Sequence, residues 1–114
     1  MPTLIYKIVP AALWRAAEAE GAFRGAPVDL ADGFIHFSTA GQVRETAARH
    51  FAGQDDLLLV AIDAEALGSA LVWEPSRGGD LFPHLYGALT LDVVVAYGPL
   101  ELEDDGSVRL PVTG

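Results

Sequence analysis

LLLVAI, residues Leu57 to Ile62, is an unbroken apolar run with no polar residue to mark a solvent-facing side. Its length is that of a strand, and the absence of alternation predicts a buried central strand rather than an edge. The rest of the chain must therefore supply strands to flank it and helices or a second sheet to cover it. With 114 residues the chain suits one compact domain, residues 1–114, burying roughly two thirds of its unfolded surface. Apolar residues make up 51% and charged ones 20%, too apolar for disorder, and no run is long enough to span a bilayer.

The flanking elements follow from local signals. LIYKIV, Leu4 to Val9, is a β-branched strand, and Pro10 pre-sets the backbone at the first position of a helix. In PAALWRAAEAEG, Leu13, Trp14 and Ala17 share a face and Gly21 supplies the stop. Gly25 to Asp32 mixes Gly, Pro and Asp and reads as a loop. Asp63 to Gly68 reads as a short helical turn and Leu71 to Trp73 as a strand, followed by a polar loop from Glu74 to Asp80. Pro83 excludes itself from a central strand and biases Phe82 to an extended backbone. Leu91 to Tyr97 is the last strong strand, and Glu101 to Leu110 reads as a closing hairpin turning at Asp104 to Gly106. The fold class is α+β, with a mixed or antiparallel sheet and two main helices.

Chemistry is narrowed by composition. The chain has no cysteine, which excludes disulfides, thiolate catalysis and cysteine-ligated metals. A net charge of −9 with scattered arginines disfavours nucleic acid, while leaving a small anionic ligand admissible. No secretory leader is visible at MPTLIYKIVP, so a cytoplasmic protein without membrane attachment is expected.

Two stretches concentrate reactive groups. In DGFIHFST, Asp32 to Thr39, strand alternation puts Phe34, His36 and Ser38 on one side and Ile35, Phe37 and Thr39 on the other. Thr39 and Gln42 have the spacing of a capping box, so a helix is expected from Thr39 to about Phe51, with Val43, Ala47, His50 and Phe51 on one stripe and Gly53 ending it. His36 and Ser38 then border a helix N-terminus, which favours an anionic or carbonyl oxygen. Two roles stay open: ligand contact, or a half-buried histidine donating to a carbonyl with Ser38 assisting the cap. Ser38 lacks the Gly-x-Ser-x-Gly elbow of a nucleophile.

The second stretch, WEPSRGGDLFPHLYG, brings Trp73, Glu74, Arg77, Asp80, His84 and Tyr86 around a glycine-rich loop. Glu74 at a strand end offers a rigid carboxylate and Arg77 a forked anion contact, unless Arg77 pairs with Glu74 or Asp80 in a solvated turn. His84 and Tyr86 alternate and so share a face. No His-x-His or His-Glu-x-x-His spacing occurs, and neither a metal site nor a resident cofactor is expected.

In order and spacing, IYKI, DGFIHFSTAGQV, VWEPSRGGDLFPHLYG and LDVVVAYGPL resemble a bacterial family of small proteins, domain of unknown function 952, over nearly the whole chain. That resemblance implies a fold similar to ADP-ribosyltransferases and RNA 2′-phosphotransferases, with NAD or a nucleotide derivative as the ligand and NAD as a substrate. It implies catalytic roles for His36, Glu74 and His84, and ligand contacts for Lys7, Phe37, Ser38, Thr39, Trp73, Arg77 and Tyr86. Phe37 and Tyr86 would pack the nicotinamide ring, His36 and Ser38 would hold the ribose, and Glu74 would oppose the developing positive charge. The chain departs from the transferase pattern on its first strand, where IYKI places Tyr6 and Lys7 instead of a histidine or arginine, and its terminal glutamate motif is not matched. The competing expectation is a noncatalytic small-molecule-binding or interaction module on the same fold.

Overall fold

The computed structural model describes residues 3–76, 79–101 and 104. The apolar run forms β4 (Leu57–Asp63), which lies between β1 (Leu4–Pro10) and β8 (Val94–Pro99) in an antiparallel sheet. Val60, Ala61 and Ile62 are fully buried, as a strand covered on both faces requires. On one face Leu57, Leu59 and Ala61 pack with Leu4, Tyr6 and Ile8 against Val43 and Ala47 of α3 (Val43–His50). On the other, Val60 and Ile62 pack with Ile5 and Val9 against Trp14 and Ala17 of α1 (Ala11–Glu20) and against Phe23, Ile35 and Phe37. Each Val, Leu, Ile and Phe side chain among them contributes about 1.5–3 kcal/mol by leaving water.

A second antiparallel sheet stands beside the first, with β6 (Leu81–Leu85) between β3 (Ile35–His36) and β5 (Leu71–Pro75). A small pair joins β2 (Ala22–Phe23) to β7 (Leu89–Thr90). Among the described residues one main-chain bridge joins the two larger sheets, in which Tyr6 N–H donates to the Ser38 carbonyl at 2.7 Å and Ser38 N–H to that of Tyr6 at 2.8 Å.

Several expectations require correction. The stretch from Gly25 to Asp32 is not a loop throughout, because Pro27–Asp32 forms a helix, α2, that closes on Gly33 at φ 87. Pro27 pre-sets the first turn, and the Asp29 carboxylate accepts the N–H of Ala26 at 2.7 Å, an end-of-helix donor that would otherwise be unsatisfied. Pro83 does lie in a central strand, paired with Trp73 of β5. Its carbonyl accepts from Phe37 N–H at 3.0 Å, so its missing N–H also falls on the β3 side, where it costs the second bond of the Phe37–Pro83 pair at the very end of the two-residue β3.

The helix expected from Thr39 begins at Val43 after a turn over Thr39–Gln42; the Gln42 side chain accepts from Thr39 N–H at 3.0 Å, the return half of the capping box. It closes on Phe51 rather than Gly53. Leu91–Val93 is a 3₁₀ turn, so the last strand starts later than the apolar pattern suggests. Another 3₁₀ segment covers Ala64–Ala70, capped where Asp63 accepts from Glu65 N–H at 3.0 Å. β5 continues through Glu74 to Pro75. The hairpin expected over 101–110 lies outside the described residues apart from Glu101 and Asp104.

Candidate functional site

The site opens where the two sheets part. In a continued antiparallel ladder, the hydrogen-bonded pair after Tyr6–Ser38 would be Ile8 with His36. That pair does not form, because side chains take both main-chain groups of His36. Asp29 Oδ1 accepts its N–H at 3.1 Å, and the Lys7 ammonium donates to its carbonyl at 2.8 Å. Lys7 and Asp29 are themselves an ion pair at 3.1 Å, both more than nine-tenths buried. The pair acts as a polar wedge that ends the contact between the sheets and leaves a cleft beyond it.

The same Asp29 holds the His36 ring, with Nδ1 2.7 Å from Oδ1. An ionised carboxylate only accepts, so Nδ1 carries the proton. Burial alone would raise the Asp29 carboxyl, but the hydrogen bond from His36, the Lys7 ammonium and the N–H groups of Ala26 and His36 outweigh it and hold it at about 2. Burial lowers the Lys7 ammonium from its ordinary 10.5 against the pull of Asp29. At the other edge of the His36 ring, Nε2 lies 3.0 Å from Asp32 Oδ2.

His84 repeats the arrangement from the facing strand, directly opposite His36 in the register of β3 with β6. Its Nδ1 lies 2.8 Å from Glu74 Oε1, and Tyr86 O–H donates to the same oxygen at 2.7 Å. These hydrogen bonds from His84 and Tyr86 hold the Glu74 carboxyl below its ordinary value, and the carboxylate in turn raises the Tyr86 phenol. Phe34 stacks on His84 at 4.2 Å between ring centroids and lies 4.6 Å from His36 and 5.2 Å from Tyr86. The two imidazoles meet edge to face at 5.4 Å. Each is thus a tethered ring: a carboxylate fixes Nδ1–H and orients Nε2 for chemistry.

These rings border a cleft of about 550 Å³, lined by Lys7, His36, Phe37, Ser38 and His84 among largely apolar neighbours that include Tyr6, Val43, Phe51 and Phe82. Ser38 is buried and its hydroxyl is 2.9 Å from that of Thr46 on α3. Five of the expected site residues therefore converge on the cleft. Glu74 and Tyr86 stand behind His84 as its support. Trp73, one residue from Glu74 on β5, projects from the opposite face, as alternation along a strand dictates, and is 39% exposed. Thr39 lies in the turn before α3, and Arg77 lies outside the described residues. The ammonium of Lys7, expected to contact a ligand, is engaged inside the protein by Asp29 and the His36 carbonyl.

Asp29, Asp32 and Phe34 were missed by sequence reasoning. The available signal was Pro27 followed by Gly33, a start and a stop that frame a short helix and place Asp29 in its first turn. Among the described residues no group of three or more His, Asp and Glu side chains is arranged to hold a metal ion. No helix among them is long and apolar enough to cross a membrane.

The model of the family described as "Protein of unknown function (DUF952)" matches residues 8–97. The chain belongs to the DUF952 family. Its likeness to solved structures is close: the crystal structure of protein CC0527 from Caulobacter crescentus is 53% identical, covers 94% of each chain and superposes with a TM-score of 0.87. A crystal structure of a double mutant of that protein gives 51% identity, the same coverage and the same TM-score. Its solution NMR structure gives 53% identity over 92% of this chain and 90% of that one, with a TM-score of 0.79. No curated protein matches the chain. The fold is thus shared with these structures over nearly the full length of the chain.

Proposed function

We propose that the cleft binds a nucleotide derivative such as NAD and that its two tethered histidines assist transfer or hydrolysis at the bond between ribose and base. The observation that carries this reading is the pair of imidazoles, each fixed at Nδ1 by a carboxylate, bordering one largely apolar cleft. Apolar walls accept a flat base, and the polar end accepts the sugar. The choice of ligand follows the ADP-ribosyltransferase-like fold that the family resemblance implies.

The chemistry divides between the two rings. With Nδ1–H given to Glu74, His84 presents the lone pair of Nε2, and among the described residues that nitrogen has no hydrogen-bond partner. It suits a general base. The glycosidic C–N bond breaks with its electron pair leaving on the base, an acceptor oxygen bonds to the anomeric carbon, and the proton of that oxygen passes to His84 Nε2. His36, fixed by Asp29 at Nδ1, lies opposite and donates Nε2–H to a ligand oxygen when its ring carries both protons. Loss of a positioned general base costs about 10²–10⁴-fold in rate. Incubation with NAD is therefore expected to release nicotinamide, and His84→Ala to suppress that release by such a factor. Absence of release, together with no thermal stabilisation by NAD, ADP-ribose or AMP, refutes the reading.

One observation favours a second reading, a noncatalytic binding module on the same fold. His36 Nε2 already faces Asp32, and the Lys7 ammonium is engaged internally, so neither group stands free for a ligand. Stabilisation by a nucleotide without turnover would identify this case.

A further inference from the structure

His36 is bracketed by carboxylates of different character. Asp29 is buried and bonded to Lys7, Ala26 and the His36 main chain, so its contact with Nδ1 is part of the wedge between the sheets. Asp32 is 48% exposed, belongs to the last turn of α2, and among the described residues has His36 as its single hydrogen-bonding or ion-pair partner. Both contacts are hydrogen bonds only when the ring carries both protons. An exposed pair of this kind is worth little and is readily exchanged.

We infer that Asp32 occupies the place of a ligand oxyanion: His36 Nε2–H is the subsite for a phosphate or phosphate monoester, and the Asp32 carboxylate fills it while the cleft is empty. Three observations converge on this. Asp32 and His36 both line the cleft, so the contact they share faces the space a ligand enters. The buried tether at Nδ1 keeps the ring in place when Asp32 leaves. A phosphate oxygen that replaces the Asp32 oxygen leaves the imidazolium with an anionic partner at each nitrogen, so the exchange uncovers no unpaired buried charge. Asp32 swings into water, which it already half faces. Anion affinity at this site is therefore set by competition with an internal carboxylate, which makes Asp32 a specificity-determining residue.

This inference rests on the reading of the cleft as a ligand site, but its test is independent of turnover. The full chain is titrated with inorganic phosphate, and separately with AMP, against chloride at matched ionic strength, following the His36 and His84 ring resonances by NMR. Asp32→Asn and Asp32→Ala are expected to tighten phosphate binding about two- to five-fold, the worth of the exposed pair they remove. Asp92→Asn, which removes a charge from an exposed surface position, is expected to leave it unchanged. His36→Gln, with folding checked by thermal melting, is expected to abolish it. Tighter binding of AMP than of phosphate extends the subsite to a nucleotide; equal binding confines it to the phosphate group.

The inference is overturned if phosphate leaves the His36 resonances unmoved, if the Asp32 variants bind no more tightly than the parent, or if Asp92→Asn has the same effect. Phosphate binding without nicotinamide release from NAD would sink the transferase reading and leave the subsite standing. Nicotinamide release with unmoved His36 resonances would do the reverse.

Discussion

At the scale of single residues, Asp29 carries the largest share of the site. It accepts from Ala26 N–H, His36 N–H and His36 Nδ1 and neutralises Lys7, in a position only 2% exposed. Asp29→Ala is therefore expected to cost about 3–5 kcal/mol, because it strands a buried ammonium, whereas removing both partners of the pair together costs less. Urea unfolding of Asp29→Ala, of Lys7→Met and of the double variant measures the difference; additive losses would show that the two groups do not act as a pair. The pH dependence has a definite sign. The folded carboxyl sits at about 2 against an ordinary 3.8. Its contribution is thus complete above about pH 4 and is lost as pH falls through about 2, on the order of 2 kcal/mol in all. Denaturant melts at pH 5 and pH 2 should show that loss, and Asp29→Asn should flatten it.

At the scale of elements, α2 turns a stretch that reads as loop into the support of the site. Six residues are too few to be stable alone, so Pro27, the Asp29 cap and Gly33 must hold the helix between them. Gly33 has a left-handed backbone at φ 87, and a methyl group there would meet nothing within 4 Å, so the demand is conformational rather than steric. Gly33→Ala is expected to cost about 1–2 kcal/mol, and ring resonances of His36 should move with it, since Asp29 and Asp32 both belong to the strained turn. An unchanged melting temperature would show that α2 closes by other means. Much at this scale was legible in sequence. The strand of Leu4 to Val9, the helix stopped by Gly21 and the alternation that separates His36 from Ile35 and Phe37 all rest on neighbours in the chain. The place of Pro83 was not, because whether a missing N–H matters depends on where the neighbouring strand ends.

At the scale of the whole molecule, β4 is the element on which both cores are built. Ile62 is fully buried in one cluster and Ala61 in the other, so a cavity at either position faces a helix or sheet that cannot collapse onto it freely. Ile62→Ala is expected to lower stability by about 2–5 kcal/mol and Ile62→Val by about 0.5–1.5 kcal/mol, measured as shifts in urea midpoint at unchanged slope. A loss below about 1 kcal/mol for Ile62→Ala would contradict the two-sided burial of the strand.

The sequence by itself determined the framework: an apolar run without alternation has to be covered on both faces, and helices and strands beside it are set by periodicity and by Pro and Gly. It also determined that His36, Ser38 and His84 were candidates, since those residue types are few. Tertiary structure alone decided what they do. Asp29 meets a lysine 22 residues before it and a histidine 7 residues after it, and His84 lies across a ladder from His36. A charge has no periodicity to betray its partner, and the partner here is chosen by where two sheets separate.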